Sequence, residues 1–162
     1  LLAVGAGVGY GAPGPSWAGE WCARPDEESA LFARALQTEL MVGALACDRR
    51  SEYNAFVVRF RDELAARGRL LRTFFHRAHG RDFEVRLNAF VTQLANEASA
   101  RSAEEGEGYC AGMTRLFSLA LGAREGGLDG LVTERRRFLD HGIAACPDRG
   151  TALSPLPRDR AR

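Results

Sequence analysis

The sequence predicts an all-α protein, a single-domain antiparallel bundle of about five helices carrying two disulfides. Three observations lead there: where the prolines fall, how the apolar residues recur, and how the four cysteines are spread. All six prolines lie at Pro13, Pro15, Pro25, Pro147, Pro155 and Pro157, so nothing between Asp26 and Cys146 is proline. That stretch is rich in Ala, Leu, Arg and Glu, with a single Ile, a composition that favours helix over strand. A chain of 162 residues has room for one domain with its own core.

The first helix is predicted from about Asp26 to Ala46. Pro25 opens it, and Asp26, Glu27 and Glu28 place negative charge at the positive end of its dipole. A second starts behind Ser51 as N-cap and carries Tyr53, Phe56, Phe60, Leu64, Leu71, Phe74, Phe75 and Ala78. At 100° per residue this stripe stays on one face past Gly68, which predicts one long helix to about His79, straight or kinked, with Gly80 ending it. Asp82 opens a third helix, faced by Phe83, Leu87, Phe90, Val91, Leu94 and Ala98, and Gly106 and Gly108 break it. The fourth carries Tyr109, Met113, Leu116, Phe117, Ala120 and Leu121 at 3–4 spacing. Gly126 and Gly127 precede a shorter fifth with Leu128, Leu131, Val132, Phe138 and Leu139.

Cys22, Cys47, Cys110 and Cys146 are an even, dispersed set without the close pairs that metal sites and haem attachment use. Such a set points to two structural bridges formed in an oxidising compartment, against the alternative of four buried thiols in a cytosolic protein. Cys22 and Cys47 flank a helix about 30 Å long and are too far apart to bond. Two of the three connectivities survive. Antiparallel alternation of neighbouring helices brings Cys47 and Cys110 to one end and favours that pair, with Cys22–Cys146 by elimination.

The N-terminus reads as the remnant of a secretion signal, residues 1–18: an apolar, small-residue start, a break at Pro13-Gly14-Pro15, and Ser16-Trp17-Ala18 as a small-x-small cleavage site. The bundle domain then spans 19–146, and 147–162 reads as a disordered tail. These features predict a periplasmic or secreted protein with no stable membrane span after cleavage. The net charge of +1 supplies no field that would gather nucleic acid. All 22 basic residues are arginine, which reflects coding bias more simply than phosphate binding.

The strings LQTELMVGALAC (36–47), YNAFV (53–57), NAFVTQLANEASARS (88–102) and YC (109–110) resemble a family of uncharacterised exported helical proteins of Gram-negative alphaproteobacteria. The resemblance implies the same helical fold and export. It carries over no catalytic residue.

Among candidate functional residues, Glu39 stands out as the one charge in an apolar arc that includes Phe32, Leu36 and Val42, where an ionised, unpaired carboxylate would be costly. Glu97 borders the Phe90–Leu94 face. Together the two could hold a metal or act as an acid/base pair; the structural alternative is that each meets an arginine such as Arg67 or Arg135. A di-iron bundle is excluded, because Glu-x-x-His occurs nowhere. His76 and His79, one turn apart, are read as solvent-facing, as is His141 beside Asp140. Asn88, Thr92, Asn96 and Ser99 form a polar face open to a ligand, another helix or solvent. Arg135-Arg136-Arg137 reads as a solvated run. Gly9 to Gly14 matches G-x-G-x-x-G but follows no strand and is spoiled by Pro13. No hydrolase motif or P-loop occurs, and no cofactor is implied. The leading functional expectation is therefore a non-enzymatic exported module that binds a protein or small molecule. An enzyme using Glu39 and Glu97, and an oligomeric cell-envelope protein, are the alternatives.

Overall fold

A computed structural model describes residues 21–124 and 126–147, and these form an all-α fold. The predicted leader, its cleavage site, the Gly9–Gly14 match and the tail from 148 onward lie outside the described residues. Six α-helices occur among the described residues: α1 (Pro25–Ala46), α2 (Arg50–Arg59), α3 (Arg61–His79), α4 (Phe83–Glu105), α5 (Glu107–Gly122) and α6 (Leu128–Arg135). Single 3-10 turns at Gly80–Asp82 and Arg136–Phe138 lead into α4 and follow α6.

Local chemistry explains most of the ends. Pro25 occupies the first turn of α1, and the Glu27 side chain accepts from the N–H of the N-cap Arg24. Gly80 (φ 55°) closes α3 and Gly106 (φ 53°) separates α4 from α5, in a left-handed region that costs glycine nothing. Gly108, expected to break the chain as well, lies inside α5. The N-cap of α2 is Arg49 rather than Ser51, whose hydroxyl sits in the first turn and donates to Glu52.

The predicted long second helix is divided at Phe60 (φ −104°, ψ 18°), not at Gly68, which lies within α3. The reason is tertiary. Helix α1 runs through the centre of the bundle and touches all five of the others, with separate hydrophobic clusters packed around it. One joins Leu36, Leu40 and Ala44 to Phe56, Phe60, Met113, Phe117 and Leu128. The other joins Leu31 and Ala35 to Leu71, Phe74, Phe75, Phe90 and Leu94. The single stripe of the α2–α3 segment must serve both clusters, and the bend at Phe60 redirects the helix from the first to the second.

Three charged residues of the α2–α3 segment, four apart, then clamp the α5–α6 connection. Arg59 donates to the carbonyls of Leu121 and Ala123 at the end of α5 (2.8 and 2.7 Å). The Glu63 carboxylate accepts from the N–H groups of Gly126 and Leu128 at the start of α6 (3.2 and 3.0 Å), and Arg67 pairs with Asp129. Arginine on a helix C-terminus and carboxylate on an N-terminus both suit the dipoles.

Both disulfides close as antiparallel alternation favoured: Cys47–Cys110 ties the end of α1 to the start of α5, and Cys22–Cys146 joins the two ends of the bundle. Beside the latter, the segment after Leu139 runs back as an extended strap. The Ala23 N–H donates to the Ala144 carbonyl and the Cys146 N–H to the Ala23 carbonyl, each at 2.8 Å, forming an isolated parallel bridge. Among the described residues no helix is long and apolar enough to cross a membrane.

Candidate functional site

Glu39 is mostly covered, its side chain 14% exposed, and it pairs with Arg101 from the last turns of α4. The partner is thus neither Arg67, which is taken by Asp129, nor Arg135, whose guanidinium lies over the Phe138 ring at 4.7 Å. Glu39 also borders a cleft of about 270 Å³ between α1, α5 and the α6 end, lined by Glu105, Tyr109, Met113, Arg135 and Phe138 among others. Tyr109 is 5% exposed, and its hydroxyl is buried. Burial, the charge of the neighbouring Glu39 and the hydrogen bond between the two side chains hold this phenol protonated well above its ordinary range.

Local sequence builds this cleft. The i, i+4 pair Tyr109 and Met113 lies on the buried face of α5, directly after the Gly106 break. Met113 packs so closely on Gly43 that a Cβ there would fall 2.3 Å from its sulfur. That approach seats α5 against α1 beside Glu39. Gly112, on the cleft rim, faces open space where a Cβ would meet nothing within 4 Å.

Glu97 is not part of this arrangement. It is exposed on α4 and accepts from Gln93 on the same helix (2.9 Å), while Glu39 is held by Arg101. The carboxylate pair that the sequence left open is therefore not assembled: Arg101 and Ala98, not Glu97, point toward α1, because the face of α4 that packs is Phe90, Leu94 and Ala98. Among the described residues no three His, Cys, Asp or Glu side chains are grouped to hold a metal ion. Asn88, Thr92, Asn96 and Ser99 all lie exposed on the outer side of α4.

The histidines partly depart from expectation. His76 is exposed, edge-on to Phe83. His79 is half-buried instead, stacked on Phe75 and edge-on to Trp21 at 4.2 Å, because the N-terminal segment folds over the end of α3. His141, expected in solvent, is 8% exposed and packs edge-on against Phe32 at 4.3 Å. The returning strap carries it onto α1, and the Ile143 N–H donates to its Nδ1 (3.3 Å). The arginine run is likewise engaged: Arg136 pairs with Glu28 (2.9 Å) and lies over Phe32, while Arg135 and Arg137 flank the exposed Phe138. Phe138, read as part of the fifth helix, sits beyond α6 in the 3-10 turn and is 60% exposed.

Burial, reinforced by Arg136, lowers the His141 pKa below that of a free imidazole, despite Glu28 and Asp140 nearby, which pull the other way. Its neutral form is favoured in the folded state. This contribution is complete above the unfolded pKa of about 6.5 and is lost as pH falls through the folded value. His141→Asn, which retains an acceptor for the Ile143 N–H, is expected to flatten the decline in stability between about pH 6.5 and 5. Urea unfolding across that range checks it, and an undiminished slope would assign the decline to other groups.

One buried charged pair escaped the sequence reading. Glu27, only 5% exposed, receives both Nε and a terminal nitrogen of Arg77 (2.9 and 2.6 Å), and Arg77 also donates to the Cys22 carbonyl (3.0 Å). The one sequence signal was the position of Glu27, three residues after the N-cap, where a capping carboxylate belongs. Nothing local marks Arg77 as its partner. Comparison of the chain with protein-family models, curated proteins and solved structures returns no match.

Proposed function

We propose that the protein is an exported, disulfide-stapled binding module whose ligand enters the cleft beside Glu39. The observation that carries the binding reading is the cleft itself, about 270 Å³, where the charges of Glu39, Glu105 and Arg135 border apolar surface from Met113, Leu116 and Phe138. Concave sites with a few convergent polar groups on an apolar lining are where proteins take small molecules. Export is supported by the pairing of all four cysteines and by the signal-like start of the chain, and it agrees with the family resemblance. The charged residues nearest the core are occupied in ion pairs with structural roles, which favours binding over catalysis.

Gly112 supplies the test. Gly112→Ala should stabilise α5 by about 0.5–1 kcal/mol, because the helix interior disfavours glycine and the added methyl meets no neighbour. Gly112→Trp should fill the cleft. A chemically diverse set of small molecules is then screened by thermal unfolding. A ligand at a hundred times its Kd adds about 2.7 kcal/mol to the wild type, and that gain should vanish in Gly112→Trp. The binding reading fails if no compound raises the wild-type midpoint, or if hits stabilise the plugged variant equally. Cell fractionation with thiol alkylation should find the protein in the periplasm or the medium with all four cysteines oxidised, and recovery from the cytoplasm with reduced thiols would refute export.

A further inference from the structure

We propose that the cleft binds a small zwitterion of the amino-acid type, with its ammonium toward Glu39 and Glu105 and its carboxylate toward Arg135. This rests on the binding reading above and specifies its ligand. The charges around the cleft come from separate elements: Glu39 from α1, Glu105 from the last residue of α4, and Arg135 from the end of α6. Arg101 holds Glu39 at Oε2 from outside the lining and the Tyr109 hydroxyl lies against the same carboxylate, fixing its position at the cleft edge. Arg135 lies over the Phe138 ring, its guanidinium carbon 4.7 Å from the centroid, and forms no ion pair among the described residues, so its N–H groups are left for a carboxylate.

This distribution discriminates among ligand charges. An amine without an acid group would satisfy the carboxylates but leave Arg135 facing a like charge in a partly desolvated site. A simple carboxylate would satisfy Arg135 but face Glu39 and Glu105. A molecule carrying both charges answers each, and leaving either set unmatched is costly once water is displaced. Between the charged groups, Met113, Leu116, Phe138 and Leu139 offer apolar surface for a hydrocarbon or aromatic side chain. A cleft of about 270 Å³ is smaller than the sites that enclose drug-sized molecules, about 300–1,000 Å³, and suits a single amino acid.

Isothermal titration of the full protein with L-leucine and L-phenylalanine tests this, alongside their decarboxylated amines (3-methylbutylamine, phenethylamine) and deaminated acids (4-methylpentanoate, 3-phenylpropionate). At least one amino acid should bind at least tenfold more tightly than both of its analogues. Arg135→Gln should bring it down to the level of the amine without lowering the thermal midpoint. An amine or acid that binds as tightly as its parent amino acid overturns the zwitterion. So does an absence of amino-acid binding when other compounds bind wild type and are blocked by Gly112→Trp, in which case the cleft remains a binding site for another chemistry. If neither set binds, both readings fall together.

Discussion

Glu27→Ala should destabilise the protein by about 2–4 kcal/mol, among the largest effects of any single substitution in the bundle. Removing one partner of a fully interior ion pair costs about 3–5 kcal/mol; the range is set lower here because a quarter of the Arg77 side chain meets solvent. The carboxylate does two jobs. It caps the Arg24 N–H at the start of α1 and neutralises the guanidinium that holds α3 and the Cys22 carbonyl beside it. Glu27→Gln keeps an acceptor for the cap but loses the charge, and should fall between wild type and alanine. Arg77→Ala should cost a similar amount by stranding the carboxylate, and the double variant should lose less than the sum of the singles. Urea denaturation of the four proteins measures this directly. Strictly additive losses would show that the pair is not coupled.

The same pair makes the fold acid-sensitive. Burial pushes the Glu27 pKa up, but the Arg77 hydrogen bond, the Arg24 N–H and the positive charges of both residues outweigh it, so the net displacement is downward. A carboxylate with a depressed folded pKa contributes stability that is complete above its unfolded value, about 4.3. The contribution is lost as pH falls through the folded value. Wild type and Glu27→Gln should therefore differ most near neutrality and draw together as pH falls below about 4. A difference that persists unchanged into that range would mean the charge is not what stabilises.

Replacing Cys22 and Cys146 together by alanine should lower stability by about 2–5 kcal/mol. This bridge spans 124 residues of sequence and its companion 63, and loop-closure cost grows only about 0.6 kcal/mol per doubling, so removing either should cost a similar amount globally. Locally they should differ. Without Cys22–Cys146, the strap after Leu139 is held by the two hydrogen bonds to Ala23 and by His141 against Phe32. Hydrogen exchange at the amides of positions 23 and 146 should accelerate well ahead of the amides of α1, whereas loss of Cys47–Cys110 should loosen the α1–α5 contact at Met113. An unchanged urea midpoint in the Cys22/Cys146 variant would show that these contacts suffice without the bond.

What the sequence determined by itself was local or strictly periodic. Pro25 starts α1, glycines at 80 and 106 end α3 and α4, and 3–4 spacing marks the buried faces of α4 and α5. The disulfide pairing was also within reach, because a helix is stiff enough to keep Cys22 from Cys47 and short connections force alternation. Tertiary structure decided what depends on how helices lie across one another: that α1 is enclosed on all sides, that Phe60 bends the second helix, and that the strap buries His141. It also chose the partners. Glu39 meets Arg101 and Glu27 meets Arg77 across 62 and 50 residues of chain. A periodic pattern tells which face of a helix is covered, but not the register at which another helix covers it. A shift of one turn, about 5.4 Å, exchanges one arginine for another.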